Sequence, residues 1–169
     1  MNSRFIVGVM GPGEGASGEE IETAFELGRI IAQQNWILLT GGRNAGVMDA
    51  ASRGARSEGG TVVGILPGVD ASSISTGVDI PIITGMREAR NSINVLSSRI
   101  LFFIGMSAGT ASELSLALKY RKPSILVCQK EEVVCTFQSM SDHILETADT
   151  VLSAIEKAKT YRNSPTLLI

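Results

Sequence analysis

"ILFFIGMSAGTASELSLALKY", residues 100–120, runs five apolar residues into a string of mostly small ones, Gly105-Met106-Ser107-Ala108-Gly109-Thr110, and then into a helical pattern with Glu113 in its first turn. An unbroken apolar pentamer has strand length and lacks the alternation of a half-exposed sheet, so it reads as a strand covered on both faces. The helical pattern holds over 110–121, and Pro123 closes the turn beyond it. Strand, glycine loop and helix together make half of a parallel crossover unit. Small residues in such a loop let a ligand approach the backbone, and the free amides of the following helix attract anions.

The same unit recurs along the chain. Apolar runs at 4–9, 36–40, 61–66, 80–83, 100–104 and 124–128 have strand length, and helices are predicted over 18–34, 46–58, 87–98, 110–121 and 147–161. Ser17-Gly18-Glu19-Glu20 has the spacing of a capping box for the first helix, and Gly59-Gly60 closes the second. Residues 67–79, "PGVDASSISTGVD", have no period and are expected to form a mobile loop. No internal repeat, linker or second core interrupts the pattern, so residues 1–169 are expected to form a single domain. The alternation predicts an α/β fold: a doubly wound, mostly parallel Rossmann-like sheet with helices on both faces. Such sheets bind ligands beyond the carboxyl ends of their strands, where strand order reverses.

Composition narrows the function classes. Hydrophobic residues make up 44% and charged residues 19%, which is globular rather than disordered. The formal net charge is −2 with no basic run, which argues against nucleic acid as a partner. No apolar run reaches the roughly 18 residues of a membrane span. The N-terminal "MNSRFIVGVMGPG" is broken too soon by glycine to be a signal peptide, so a cytoplasmic protein is expected. Cys128 and Cys135 lack C-x-x-C spacing, and Cys128, in the apolar run "SILVC", is expected to be a buried structural thiol; the lone His143 reads as a solvated or capping residue. No metal site is expected.

Four loops carry the chemistry, each leaving a predicted strand. The first, "MGPGEGASG", holds Gly11, Gly13 and Gly15, and a formal G-x-G-x-x-G at Gly13, Gly15 and Gly18. A dinucleotide site also wants a carboxylate at the end of the second strand, and that strand ends Leu39-Thr40-Gly41-Gly42, so NAD is rejected while a phosphate-binding loop is kept. The second loop, "TGGRNAGVMDAASRGARSEGG", offers Gly41, Gly42 and Gly46 to a ligand; Arg43 suits a phosphate or solvent equally. Its small residues Ala50, Ala51, Gly54 and Ala55 are expected to bring their helix close to the sheet. The third, "TGMREARNSINVLSSR", crowds Arg87, Glu88, Arg90, Asn91 and Asn94 into the first turns of a helix. Cations there oppose the helix dipole, so an anionic ligand or Glu113 is needed to explain them. Three- to four-residue spacing places Arg87, Arg90 and Asn94 on one face. In the fourth, Gly105, Ser107, Ala108, Gly109 and Thr110 surround an anion with amides, Thr110 is expected to cap the helix, and Glu113 is expected to pair with Arg90.

The ordered set "TGGRNAGVMDAASRGARSEGG", "MREARN" and "GMSAGTASEL" resembles the superfamily that contains the Lonely Guy phosphoribohydrolases, the DprA-like proteins and the molybdenum cofactor carrier proteins, over roughly residues 4–160. The arginine and glutamate that the hydrolases use in catalysis match Arg90 and Glu113, and their phosphate-binding segment matches Gly105 to Thr110. The hydrolases carry proline and two glycines where this chain has Gly105, Met106 and Ser107, and a lysine where it has Asn91. Met106 and Ser107 add side chains where a phosphate would need bare backbone. The arginine–asparagine pair lies closer to the carrier branch.

The resemblance implies binding, protection and delivery of a phosphorylated pterin, the molybdenum cofactor (molybdopterin), with molybdoenzymes as recipients. A hydrolase cleaving the N-glycosidic bond of nucleoside 5′-monophosphates through Arg90 and Glu113 is the alternative, and a non-catalytic nucleotide-sensing module a third. The candidate loops hold no lysine for a pyridoxal (PLP) Schiff base, which argues against the lysine decarboxylase label common in this superfamily. A homo-oligomer, dimer or tetramer, is also implied, with "NVLSSRILFF" and the tail "TLLI" as candidate contacts.

Overall fold

The computed structural model describes residues 4–141 and 145–162. The chain runs β1 (Ile6–Met10), α1 (Gly18–Gln33), β2 (Ile37–Thr40), α2 (Gly46–Ser57), β3 (Val62–Leu66), β4 (Ile80–Ile83), a 3-10 turn (Arg87–Arg90), α3 (Asn91–Ser97), β5 (Ile100–Ile104), α4 (Ala108–Lys119), β6 (Ser124–Val127), α5 (Glu131–Gln138), β7 (Leu145–Ala148) and α6 (Val151–Arg162). Among the described residues seven strands form one sheet in the order β4-β3-β2-β1-β5-β6-β7. Every pairing is parallel. This is the α/β Rossmann-like fold.

Strand parity divides the core. Val7, Val9, Leu38, Ile100 and Phe102 face α1, α2 and α6, in one buried cluster with Leu27, Ile31, Ala51 and Ile155. Met10, Leu39, Leu101, Phe103 and Leu126 face the other way, toward α3, α4 and α5, and pack with Val95, Leu114 and Phe137. Period-two alternation along strands covered on both sides produces this two-faced arrangement.

The small residues of α2 pack against more than the sheet. A Cβ at Gly54 would run into the carbonyl of Phe25, and one at Gly28 into the carbonyl of Ala51. The helices α1 and α2 therefore cross with their backbones in contact, which only glycine at these two points allows. Ser17 caps α1 as expected, accepting from the Glu20 amide while Glu20 accepts from the Ser17 amide at 2.7 Å.

Three expectations change. The helix predicted over 147–161 is found as α6, but it starts at Val151, after a strand, β7, and a helix, α5, that the pattern does not announce. Leu145–Ala148 carries Glu146 and Thr147 on an edge strand with one neighbour, so it lacks the apolar continuity of its partners, and α5 is only two turns long. Residues 67–79 have no regular element but are tied down: Ser73 O accepts from Asn44 N, Ser75 N donates to Gly42 O, and Ser75 Oγ donates to Asp49 at 2.7 Å. The helix predicted from residue 87 starts as a 3-10 turn with Arg87 at φ +49°. No described helix is long and apolar enough to cross a membrane. His143 and the tail "TLLI" lie outside the described residues.

Candidate functional site

The chain steps outward from β1 through β2 and β3 to β4, then returns to lay β5 against the other side of β1. Between the carboxyl ends of β1 and β5 the following segments diverge, leaving a crevice that no crossover fills. A cavity of about 270 Å³ opens there. Gly11, Gly13, Gly41, Arg87, Arg90, Asn91, Ser107, Gly109, Thr110 and Glu113 line it, together with Met10, Glu14, Arg43, Met48, Pro67 and Glu88.

Gly15, Gly42, Gly46, Gly105 and Ala108 do not line this cavity. Gly42 packs on Gly64, its amide donates to Thr40 Oγ1 and its carbonyl accepts from Ser75. Gly46, at φ +50°, sits against the carbonyls of Pro12 and Gly13, and Val47 N donates to Pro12 O. Within the second loop, Gly42, Asn44 and Gly46 thus hold residues 67–79 and the first loop, while Gly41 and Arg43 face the cavity. Gly15 turns the first loop with open space beside it. Gly105 and Met106 line a separate cavity of about 450 Å³ on the far side of their loop, so the Met106 side chain does not obstruct the first. Ala108 is exposed at the start of α4.

The N-cap of α4 is Ser107, not Thr110. Ser107 Oγ accepts from Thr110 N at 3.2 Å and lies 2.9 Å from Thr110 Oγ1. The amides of Ala108 and Gly109 have no acceptor among the described residues, so the helix keeps two donors and its positive dipole end at this edge of the cavity.

Arg90 and Glu113 form the buried polar centre. Arg90 is 8% exposed, and its Nε and Nη1 have no hydrogen-bond partner among the described residues. Burial lowers its pKa, against the pull of Glu113; the neighbouring charge of Arg43 lowers it further and that of Glu88 raises it. The guanidinium fits because position 41 is glycine: a Cβ there would overlap Arg90 Nη1 and Met48 Sδ. Glu113 is 7% exposed, and burial pushes its carboxyl up to about 6, against the Asn94 hydrogen bond and the Arg90 charge. The expected direct pair of Arg90 and Glu113 is not formed. Asn94 Nδ2 donates to Glu113 Oε1 at 2.7 Å instead, and Asn91 Nδ2 donates to Ser112 Oγ at 2.9 Å. The change from 3-10 turn to α3 separates the expected face: Arg87 and Arg90 reach the cavity, while Asn94 lies beneath it as a support.

The sequence leaves Arg43 open and gives no site role to Met10, Glu14, Met48 or Pro67, and Glu88 stands out only as a neighbour of Arg87 and Arg90. Glu14, a charge set between glycines of a phosphate-type loop, was the legible signal; it pairs with Arg43 at 2.8 Å. Met10 and Met48 reach the cavity from a strand end and a helix start that read as core.

A profile of the SLOG cluster4 family matches residues 4–155. The molybdenum cofactor binding protein of the phototrophic bacterium Rippkaea orientalis superposes with a TM-score of 0.94 at 42% identity, covering 96% of this chain and 100% of that one. The molybdenum cofactor carrier protein of Chlamydomonas reinhardtii does so with a TM-score of 0.91 at 45% identity, covering 96% and 100%. An uncharacterised protein of Archaeoglobus fulgidus is 42% identical over 116 residues, 69% of this chain and 75% of that protein. With the profile spanning nearly its whole length, the chain belongs to the SLOG cluster4 family.

Proposed function

We propose that this protein binds the molybdenum cofactor as cargo and holds it for delivery to molybdoenzymes. The observation that carries this reading is Arg90: a buried guanidinium with two unpartnered nitrogens at a cavity wall is costly unless an anion completes it. The similarity to two molybdenum cofactor proteins over essentially their full length supports a pterin-type anion as that ligand. The pterin phosphate would take the Ala108 and Gly109 amides and the Ser107 and Thr110 hydroxyls, with Arg90, and Arg87 at the rim, adding charge. Asn91 and Glu113 would meet polar groups of the ring. Gly11, Gly13 and Gly41 bring backbone to the cavity wall, and the lack of a side chain at 41 makes room for Arg90.

One observation favours a second reading, a phosphoribohydrolase. A buried carboxyl titrating near 6, close to a guanidinium, is suited to stabilising an oxocarbenium-like sugar. Incubation with AMP and cytokinin riboside monophosphates separates the two. The carrier reading expects no free base or ribose 5-phosphate, together with molybdopterin binding at micromolar affinity or better. Turnover that disappears in Glu113→Gln would replace it with the hydrolase.

A further inference from the structure

The cavity holds two central cations in opposite situations. Arg90, on the inner wall, has unpartnered nitrogens; Arg43, whose charge bears on Arg90, is covered by Glu14 at 2.8 Å. Both members of that ion pair line the cavity.

The pair is also held unequally. The backbone around Arg43 is fixed by its bridge to Ile74, by the Asn44 amide on Ser73 O and by the Ser75 amide on Gly42 O. Glu14 stands between Gly13 and Gly15 with its side chain 83% exposed, and Gly15, at φ +92°, has nothing within 4 Å of the position a Cβ would take. When the pair opens, Glu14 is the half free to leave.

From this asymmetry we infer that Glu14 is an intramolecular competitor of the ligand: it holds Arg43 until an incoming anion displaces it, and Arg43 then becomes the outer contact of a ligand whose inner end rests on Arg90. The inference rests on the anionic-ligand reading above and adds the residue that sets its threshold. An exposed pair of this kind restrains its arginine by about five-fold or less, which a ligand phosphate overcomes while still competing measurably. The occupant is an anion carrying charge at two places, as a phosphorylated ring with a second anionic group does.

The test is a double-mutant cycle read by calorimetric titration with inorganic pyrophosphate, on the wild type, Glu14→Gln, Arg43→Ala and the double variant. Glu14→Gln is expected to tighten binding about two- to five-fold, and Arg43→Ala to weaken it by about ten-fold, the loss of a charged hydrogen bond. Glu14→Gln should then gain nothing in the Arg43→Ala background. An equal gain in both backgrounds means Glu14 acts only through its general field, and the competitor role is overturned. No gain in either background overturns it as well. If none of the four proteins binds pyrophosphate, the competitor and the anionic site fall together. If the cycle behaves as expected but molybdopterin does not bind, only the pterin reading is lost.

Discussion

Glu113 shows how one buried residue ties the site to stability. Its carboxyl is raised above the ordinary value because burial removes it from water, so the folded state holds that proton to a higher pH than the unfolded chain. Stability is therefore highest below the unfolded value and falls as pH rises through the window from 4.5 to about 6, levelling off above it. At 1.36 kcal/mol per pH unit, the interval from 4.5 to about 6 amounts to roughly 2 kcal/mol. Glu113→Gln keeps the hydrogen bond from Asn94 and removes the charge. Relative to that variant, the wild type should lose about 2 kcal/mol of unfolding free energy between pH 4 and pH 7. Urea titrations of both proteins across that range check it, and parallel pH profiles would show that Glu113 is not the cause.

The helix pair α1–α2 is held together by backbone contact. Gly28 and Gly54 each stand where the partner's carbonyl leaves no room for a methyl group. A backbone carbonyl cannot rotate away as a side chain can, so Gly54→Ala should cost about 2 kcal/mol despite the gain of about 1 kcal/mol in helix propensity. A lower urea midpoint with unchanged m-value is the expected result. Much of this was readable in advance: the glycine–alanine spacing announced a close packing face, and the apolar pentamers announced strands buried on both sides. The spacing could not name the partner, because closeness to a sheet and closeness to a helix ask for the same small residues. Nor could periodicity identify β7 or α5, where short elements with a solvated face carry too few residues to show a period. At the cavity, residue type points to Gly11, Gly13, Gly41, Arg90 and Glu113, which line it, but equally to Gly15, Gly42, Gly46 and Gly105, which serve turns and packing instead. It does not foretell that Asn94 takes the Glu113 carboxylate. Ser107 as the cap of α4 was not legible either, since Ser107 and Thr110 are equally apt in sequence and only the entry angle of the chain decides.

Across the whole molecule the site exists because strand order reverses at β1. The loops that meet there come from positions 11, 41, 87 and 107, which are far apart in the chain and on both sides of the reversal. A ligand bridging them binds only the folded sheet, and its binding free energy adds to global stability. Molybdopterin at 100 times its Kd should contribute about 2.7 kcal/mol, a rise in Tm of roughly 5–10 °C for a chain of this size. Arg90→Ala, at the same concentration, should keep about half of that rise, the result of a ten-fold weaker site. A full rise in the variant would remove Arg90 from the site. The net charge of −2 places no demand on this behaviour, since the positive field is local to two loops and a helix end.

The berth of Arg90 is the hydrogen atom that stands for a side chain at position 41. These two places, almost fifty residues apart, are therefore one inherited decision. A side chain at position 41 requires the Arg90 guanidinium and Met48 to shift, and loss of the guanidinium releases position 41. Positions 41 and 90 are therefore expected to vary together among related sequences.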